Sequence, residues 1–192
     1  MKRLVLTVMM GVGFLVAPTF SRSKPKVSKA PLSEDQKQIY ESFVKSETKE
    51  GAIHMTLAST TSPLFLSEYL LSCLKDLHLT NLEEAQQSVH VIGSGIAQSR
   101  VTLADPRHYK VADPGRAIKN GQDVGQAVAG GFASGIWFVS EIAFDGPRQH
   151  AVMKHTFYCG RLCGYGGTTV YEKTADGWVE QKDVQCIEIF QF

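Results

Sequence analysis

The apolar residues of the last third of the chain recur with a period of two, and this pattern constrains the fold more than any other feature. Four segments show it: IWFVSEIAF, HAVMKHTFY, TTVYEK and WVEQKDVQCIEIF. Such alternation is typical of half-buried β-strands. Turn-forming residues separate the segments at 145–148, 157–167 and 175–177. We therefore predict a C-terminal antiparallel meander of about four strands, which begins at residue 136.

The region before residue 136 is instead predicted to be mainly helical. Ser33 and Gln36 form a capping box ahead of apolar residues at helical spacing, which predicts a helix from about 34 to 48. Three further helices are predicted to follow the cap residues Asn81, Asp113 and Asp123. A short strand is predicted over 100–105. Helices followed by strands indicate an α+β fold, with the N-terminal helices packed on one face of the meander.

The N-terminus has the pattern of a secretory signal. A basic MKR is followed by a long apolar run and by small residues at Thr19 and Ser21. We predict a signal peptide over 1–21, a flexible, basic tail over 22–32 and a single α+β domain over 33–192. An uncleaved membrane anchor is the alternative for the first segment. With cleavage we expect no membrane span, and a secreted or periplasmic location.

The charge balance bears on the class of partner. The chain has 20 basic and 19 acidic side chains, for a net charge of +1. Part of the basic excess lies in the predicted signal peptide and tail, so the remaining domain is near neutral. Binding to a nucleic-acid backbone depends on a basic surface. We therefore expect no nucleic-acid partner.

The four cysteines all lie downstream of the predicted signal. In an exported protein an even count predicts disulfides. We favour Cys73–Cys186, which would hold a helix to the last strand, together with Cys159–Cys163, which would shape a turn. A link from Cys186 to Cys159 or Cys163 stays open as an alternative.

The stretch FYCGRLCGYGG, at 157–167, contains cysteines and glycines that could also suggest a redox, metal or phosphate site. A redox dithiol or a phosphate loop would need a helix after the cysteines or glycines, and a strand follows instead. Zinc would need a second close-spaced ligand pair, which the sequence lacks. The glycines at 93 and 95 do not complete a dinucleotide motif, because Gln98 stands where the third glycine belongs. We predict no metal site and no cofactor.

Glu141 interrupts an otherwise apolar strand and suggests two arrangements. If it lies opposite Met153, His155 becomes a diagonal neighbour, and the two side chains could perform acid–base catalysis. A register shifted by one residue would instead place Glu141 opposite Lys154, as a cross-strand ion pair. A buried structural hydrogen bond is a third alternative.

Four aromatic residues lie around the last two predicted turns: Tyr158, Tyr165, Tyr171 and Trp178. Tyrosine and tryptophan are enriched at binding surfaces, so these side chains could form the rim of a site for a protein or small-molecule ligand at the 157–167 loop. The alternative is ordinary packing on the sheet.

The C-terminal half resembles a group of uncharacterised exported bacterial proteins. The resemblance rests on three blocks: SEIAFD at 140–145, YCGRLCGYG at 158–166 and EKTADGW at 172–178. It implies export and an architecture, and it implies no catalytic residues. The expected function is an exported, disulfide-stabilised binding or envelope-associated module without catalytic activity, whose ligand is unknown. The alternative is a small secreted hydrolase-like enzyme that uses Glu141 and His155.

Overall fold

The computed structural model describes residues 25–48, 54–93, 96, 101–161, 163–182, 186 and 188–191. The predicted signal peptide at 1–21, residues 22–24 of the predicted tail, and Gly95 and Gln98 lie outside the described residues.

Five α-helices and ten β-strands are present in the part of the chain that the structure describes. The helices are α1 (Glu34–Glu47), α2 (Glu68–Cys73), α3 (Leu82–Gln87), α4 (Pro114–Lys119) and α5 (Val124–Ala133). The strands are β1 (Lys26–Val27), β2 (Met55–Ala58), β3 (Ser88–Val89), β4 (Val101–Ala104), β5 (Ile136–Val139), β6 (Ala143–Phe144), β7 (His150–Tyr158), β8 (Gly164–Thr174), β9 (Gly177–Glu180) and β10 (Ile189–Gln191). Within these bounds, no helix is long and apolar enough to cross a membrane.

Eight of the strands form one mixed sheet, so the mixed α and β character that the sequence predicts is confirmed. The strand order is β10-β8-β7-β5-β2-β4, with β6 paired to β7 and β9 paired to β8. Strands β5 to β10 pair in antiparallel fashion. The C-terminal segments therefore do form hairpins, but as six strands rather than about four.

The sheet also differs from the prediction because two strands that precede residue 136, β2 and β4, belong to it. Strand β2 pairs in parallel with both β4 and β5. Parallel neighbours need long crossover connections. Helices α2 and α3 lie in the connection from β2 to β4, and α4 and α5 lie in that from β4 to β5. Strand β2 has only four residues, of which three are buried, so no alternation marks it in the sequence.

Helices cover both faces of the sheet, whereas the sequence led us to expect one covered face. Ala151, Val152 and Met153 of β7 are buried in succession, although neighbouring side chains of a strand point to opposite faces. Met153 belongs to the core cluster that contains the buried residues of α1. Val152 belongs to a second cluster with residues of α2 and α3. A strand in this position has to be apolar on both sides.

Local signals for the helix starts were largely right. The Ser33–Gln36 capping box forms at α1, and the Asp113 and Asp123 side chains accept hydrogen bonds at the starts of α4 and α5. Asn81 precedes α3 but its side chain does not cap it. Instead its amide donates to Ile142 O and accepts from Phe144 N, because β6 passes beside it.

The predicted tail at 22–32 contains an ordered segment. Lys26 and Val27 form β1, which pairs in parallel with Ser88 and Val89 of β3, and Ser28 N donates to Val89 O. Both residues of β1 are exposed, so the pairing is held mainly by backbone hydrogen bonds.

Helices α4 and α5 pack against the end of β7 through glycine. A Cβ atom at Gly131 would lie 2.6 Å from Pro114 Cγ and 2.8 Å from Cys159 O. At the adjacent Gly130 a Cβ atom would meet nothing within 4 Å. The absence of a side chain at Gly131 thus allows α5 to approach both α4 and the turn after β7.

These adjacent glycines make a matched test of this packing. We expect Gly131→Ala to destabilise the protein by about 1–3 kcal/mol, because its methyl group overpacks the contact. Gly130→Ala should stabilise it by about 0.5–1 kcal/mol, since alanine is the better helix former. Urea unfolding of both variants checks the prediction. Equal effects at the two positions would contradict the packing of α5 described above.

Candidate functional site

Both favoured disulfides are present, and this prediction is confirmed. Cys73 at the end of α2 is joined to Cys186, which precedes β10, and Cys159 is joined to Cys163. All four cysteines are therefore oxidised. The long link ties α2 to the edge of the sheet where β10 lies, across 113 residues of sequence. The short link spans four residues and closes the turn between β7 and β8.

Backbone geometry explains the glycine in this turn. Cys159 N donates to Cys163 O, and Cys163 N donates to Gly160 O, both at 3.0 Å. Gly160 has a φ of +110°, and a Cβ atom there would lie 2.5 Å from Ala112 O. The turn is therefore compact and packs on the segment that leads into α4.

The four aromatic residues do not form a shared rim. Tyr171 and Trp178 are buried in the core on the α1 side of the sheet. Trp178 Nε1 donates to Asp35 Oδ1 at 3.0 Å, which joins β9 to α1. Tyr165 is partly exposed and packs edge-on against Trp137, with ring centroids 5.5 Å apart. Tyr158 is half-buried and lines an open cleft with Asp113 and Arg116.

Beside the turn, helix α5 presents apolar side chains to solvent. Val124, Val128 and Phe132 are 59%, 39% and 53% exposed, and their spacing of four residues places them on one side of the helix. We call these three residues the α5 face. Phe132 also stacks on Phe157, at a centroid distance of 5.9 Å, so the α5 face continues onto the end of β7.

Glu141 lies in a β-bulge, a feature that neither predicted register contains. Ser140 N donates to Lys154 O, while Ala143 faces Val152. Glu141 and Ile142 therefore oppose the single residue Met153. The extra residue turns Glu141 away from β7, and its N–H donates to Ser62 O instead.

The Glu141 side chain, only 2% exposed, binds His90 and Thr61. His90 Nδ1 lies 2.9 Å from Oε2 and 3.0 Å from Oε1, and the His90 backbone N–H donates to Oε1 at 2.9 Å. Thr61 Oγ1 donates to the same oxygen. These contacts satisfy the carboxylate without His155. His90 is 51 residues away in sequence, and no local pattern marks it as a partner.

A cavity of about 170 Å³ opens beside this pair. Its lining includes His90, Glu141, Ile142 and Phe144. Residues at the start of α1, in and beside α3, and in the β6–β7 turn complete the lining: Ser33, Gln36, Asn81, Glu84, Ala85, Ser88 and Arg148. Arg148 Nε is already 3.1 Å from Asp35 Oδ2, and its guanidinium lies 4.1 Å from the centroid of the Phe144 ring. We call this cavity the His90 cleft.

His155 lies elsewhere, in an aromatic cluster on the α1 side of the sheet. Its ring centroid is 5.3 Å from that of Phe43 and 6.0 Å from that of Trp137, and Thr169 Oγ1 lies 3.3 Å from Nδ1. Burial lowers the pKa of His155 to about 4. The ring is thus neutral at physiological pH, and its Nδ1 shares a hydrogen bond with the Thr169 hydroxyl group. Glu141 and His155 do not form the acid–base pair suggested by the sequence.

Comparisons with known proteins place no further residue in a site. No protein-family model, no curated protein and no solved structure matches this chain. Among the described residues, no group of three or more His, Cys, Asp or Glu side chains could hold a metal ion. The α5 face and the His90 cleft are therefore assigned on geometry alone.

The two disulfides should differ in their contribution to stability. On the loop-entropy argument, replacing Cys159 and Cys163 by serine should cost about 2 kcal/mol, and replacing Cys73 and Cys186 nearly 5 kcal/mol, because the second link closes a much longer loop. Urea unfolding of the two double variants, each with the other disulfide intact, measures the difference. Losses of equal size would contradict the loop-entropy argument for this fold.

His155 should make stability depend on pH. The unfolded ring binds a proton below about pH 6.5, whereas the folded ring does so only near pH 4. The stabilisation that the neutral His155 ring contributes to the folded protein is therefore complete above pH 6.5, and it is lost as the pH falls toward 4. We expect the free energy of unfolding to fall from pH 7 to 4.5 by roughly 2 kcal/mol more in the native protein than in His155→Gln. The control His108→Gln, at an exposed histidine, should show the same dependence of stability on pH as the native protein. If His155→Gln also shows the native dependence, His155 does not cause it.

Proposed function

We propose that the protein is an exported, disulfide-stabilised binding module, and that its α5 face binds another protein. Oxidation of all four cysteines supports export, because disulfides persist in oxidising compartments. The resemblance of the C-terminal blocks to exported bacterial proteins supports the same compartment. An acid–base enzyme using Glu141 and His155 is the weaker alternative, since the Glu141 carboxylate bonds to His90 and Thr61 instead.

The observation that carries the binding role is the exposure of the α5 face. In the same helix Ala127 and Gly131 are buried against the domain, so α5 is already packed on its inner side. Val124, Val128 and Phe132 therefore form a second apolar side that the domain does not cover. Contiguous exposed apolar surface with a polar surround is typical of interaction sites. Asp123, which caps the helix, supplies a polar group at the end of this face.

The charges around α5 favour a protein partner over an anionic membrane. Between Lys119 and Arg148 the sequence contains no lysine or arginine, and Asp123 caps the helix. Helices that bind at membrane surfaces combine an apolar side with basic residues that attract anionic lipids. A face of three side chains is also smaller than the roughly 800 Å² per partner of a standard interface. We therefore expect a partner with an apolar patch of its own, bound in the micromolar range.

The partner can be identified by photocrosslinking in the exporting cell. A benzoylphenylalanine at position 128 should yield a crosslinked protein, which is then purified and titrated against the native chain. The double variant Val128→Ser/Phe132→Ser should weaken this binding at least tenfold, because both apolar contacts are removed. The control Gln126→Ser, on the same helix, should bind as the native protein does.

Three outcomes would reject the proposed partner. Crosslinks confined to lipid would indicate a membrane surface, and crosslinks confined to a second copy of this chain would indicate self-association. Unchanged affinity in the double variant would exclude the α5 face as the binding site. Export is tested separately, because the exported fraction should contain a chain that starts at residue 22 with no alkylatable thiol.

A further inference from the structure

The structure assigns a second site, distinct from the α5 face. We propose that the His90 cleft binds a small neutral molecule that carries hydroxyl groups, with His90 Nε2 accepting the hydrogen of one hydroxyl. The cleft lies between the first turn of α1, helix α3 and the bulge at Glu141. The proposal does not depend on the protein partner of α5, because the two sites share no residue.

The orientation of the imidazole comes from Glu141. An ionised carboxylate can only accept hydrogen bonds, so Nδ1 of His90 has to carry the hydrogen in the contact of 2.9 Å. In a ring that carries one hydrogen, the lone pair is then on Nε2. The Glu141 contact and the His90 backbone N–H fix the ring in place, and the residue lines the cleft while being 9% exposed. A fixed, largely buried acceptor of this kind suits a ligand that donates a hydrogen bond.

The charges that line the cleft select against ions. Glu141 and Glu84 disfavour an anionic ligand, and Arg148 is engaged by Asp35 and by the Phe144 ring. The Arg148 guanidinium in turn disfavours a cation at the same mouth. A metal ion would need more ligands than this lining supplies among the described residues. A neutral donor, such as an alcohol or one edge of a sugar, is the remaining class.

The size and the walls agree with this class. A volume of about 170 Å³ corresponds to roughly six water molecules at about 30 Å³ each, and so to a ligand of similar heavy-atom count. Ala85, Ile142 and Phe144 form an apolar wall next to the polar floor. Carbon-bound hydrogens of a polyol would contact this wall while its hydroxyl groups meet His90. Glycerol has suitable dimensions to serve as a probe.

Long-range ¹H–¹⁵N NMR of the imidazole tests the proposal on the whole protein. At pH 7.5 the free protein should show Nδ1 of His90 protonated and Nε2 unprotonated. Glycerol should then shift the His90 signals in a saturable manner in the millimolar range, whereas sodium acetate and methylammonium chloride at equal ionic strength should not. A protonated Nε2 in the free protein, or a saturable response to acetate or methylammonium, would overturn the proposal.

Variants separate the cleft from non-specific effects. His90→Phe should abolish the saturable response of cleft residues to glycerol, and Ser88→Leu, which adds bulk at a partly exposed residue of the lining, should weaken it at least tenfold. The second variant keeps the test decisive if His90→Phe does not fold. His108→Phe, at an exposed histidine, is the control and should behave as the native protein. A glycerol response that is unchanged in Ser88→Leu, or that fails to saturate in the native protein, would exclude a site in the cleft.

Discussion

The buried carboxylate of Glu141 is the contact on which several segments of this domain depend. It binds the hydroxyl group of Thr61 and both the backbone N–H and the ring of His90, while its own N–H donates to Ser62 O. The carbonyl of the preceding Ser140 accepts a hydrogen bond from Tyr40 of α1. A buried charge left without its partner typically costs 3–5 kcal/mol. The bulge therefore holds the segment after β2, the end of β3 and helix α1 together at one point.

The rest of the fold follows from a central hairpin that is covered on both sides. Strands β7 and β8 pair over nine residues of β7, and α1 covers one face while α2 and α3 cover the other. The disulfides act at the margins of this arrangement. Cys73–Cys186 attaches α2 to the segment before β10, and Cys159–Cys163 shapes the turn against which α4 and α5 pack. The inner side of α5 packs against α4 and this turn, so its other side remains exposed to solvent.

The two proposed sites lie toward opposite ends of β7. Phe157, which contacts Phe132 of the α5 face, is six positions from Ala151, which pairs with Phe144 of the His90 cleft. At about 3.3 Å per residue these positions are roughly 20 Å apart. Binding at α5 and binding in the cleft are therefore separable by substitution. Both sites are also built on helices and strands that are anchored by buried contacts, which favours preformed geometry.

Features that depend on neighbours along the chain can be predicted from the amino-acid sequence. The caps at Ser33, Asp113 and Asp123 and the hairpins after residue 136 arise from local hydrogen bonds and local alternation. The cysteine count limited the disulfides to three pairings, of which the structure contains the favoured one.

The face that each side chain occupies, and the distant residue that it contacts, depend instead on the packing of the whole domain. Tyr171 and Trp178 became core residues because α1 covers their side of the sheet, and short β2 joined the sheet through parallel partners that no local pattern reveals. Glu141 contacts His90 rather than His155, and it lies in a bulge where the register of β5 against β7 changes to that of β6. A period-two pattern predicts that side chains alternate between the two faces of a sheet. A single inserted residue moves every later side chain of the strand to the opposite face.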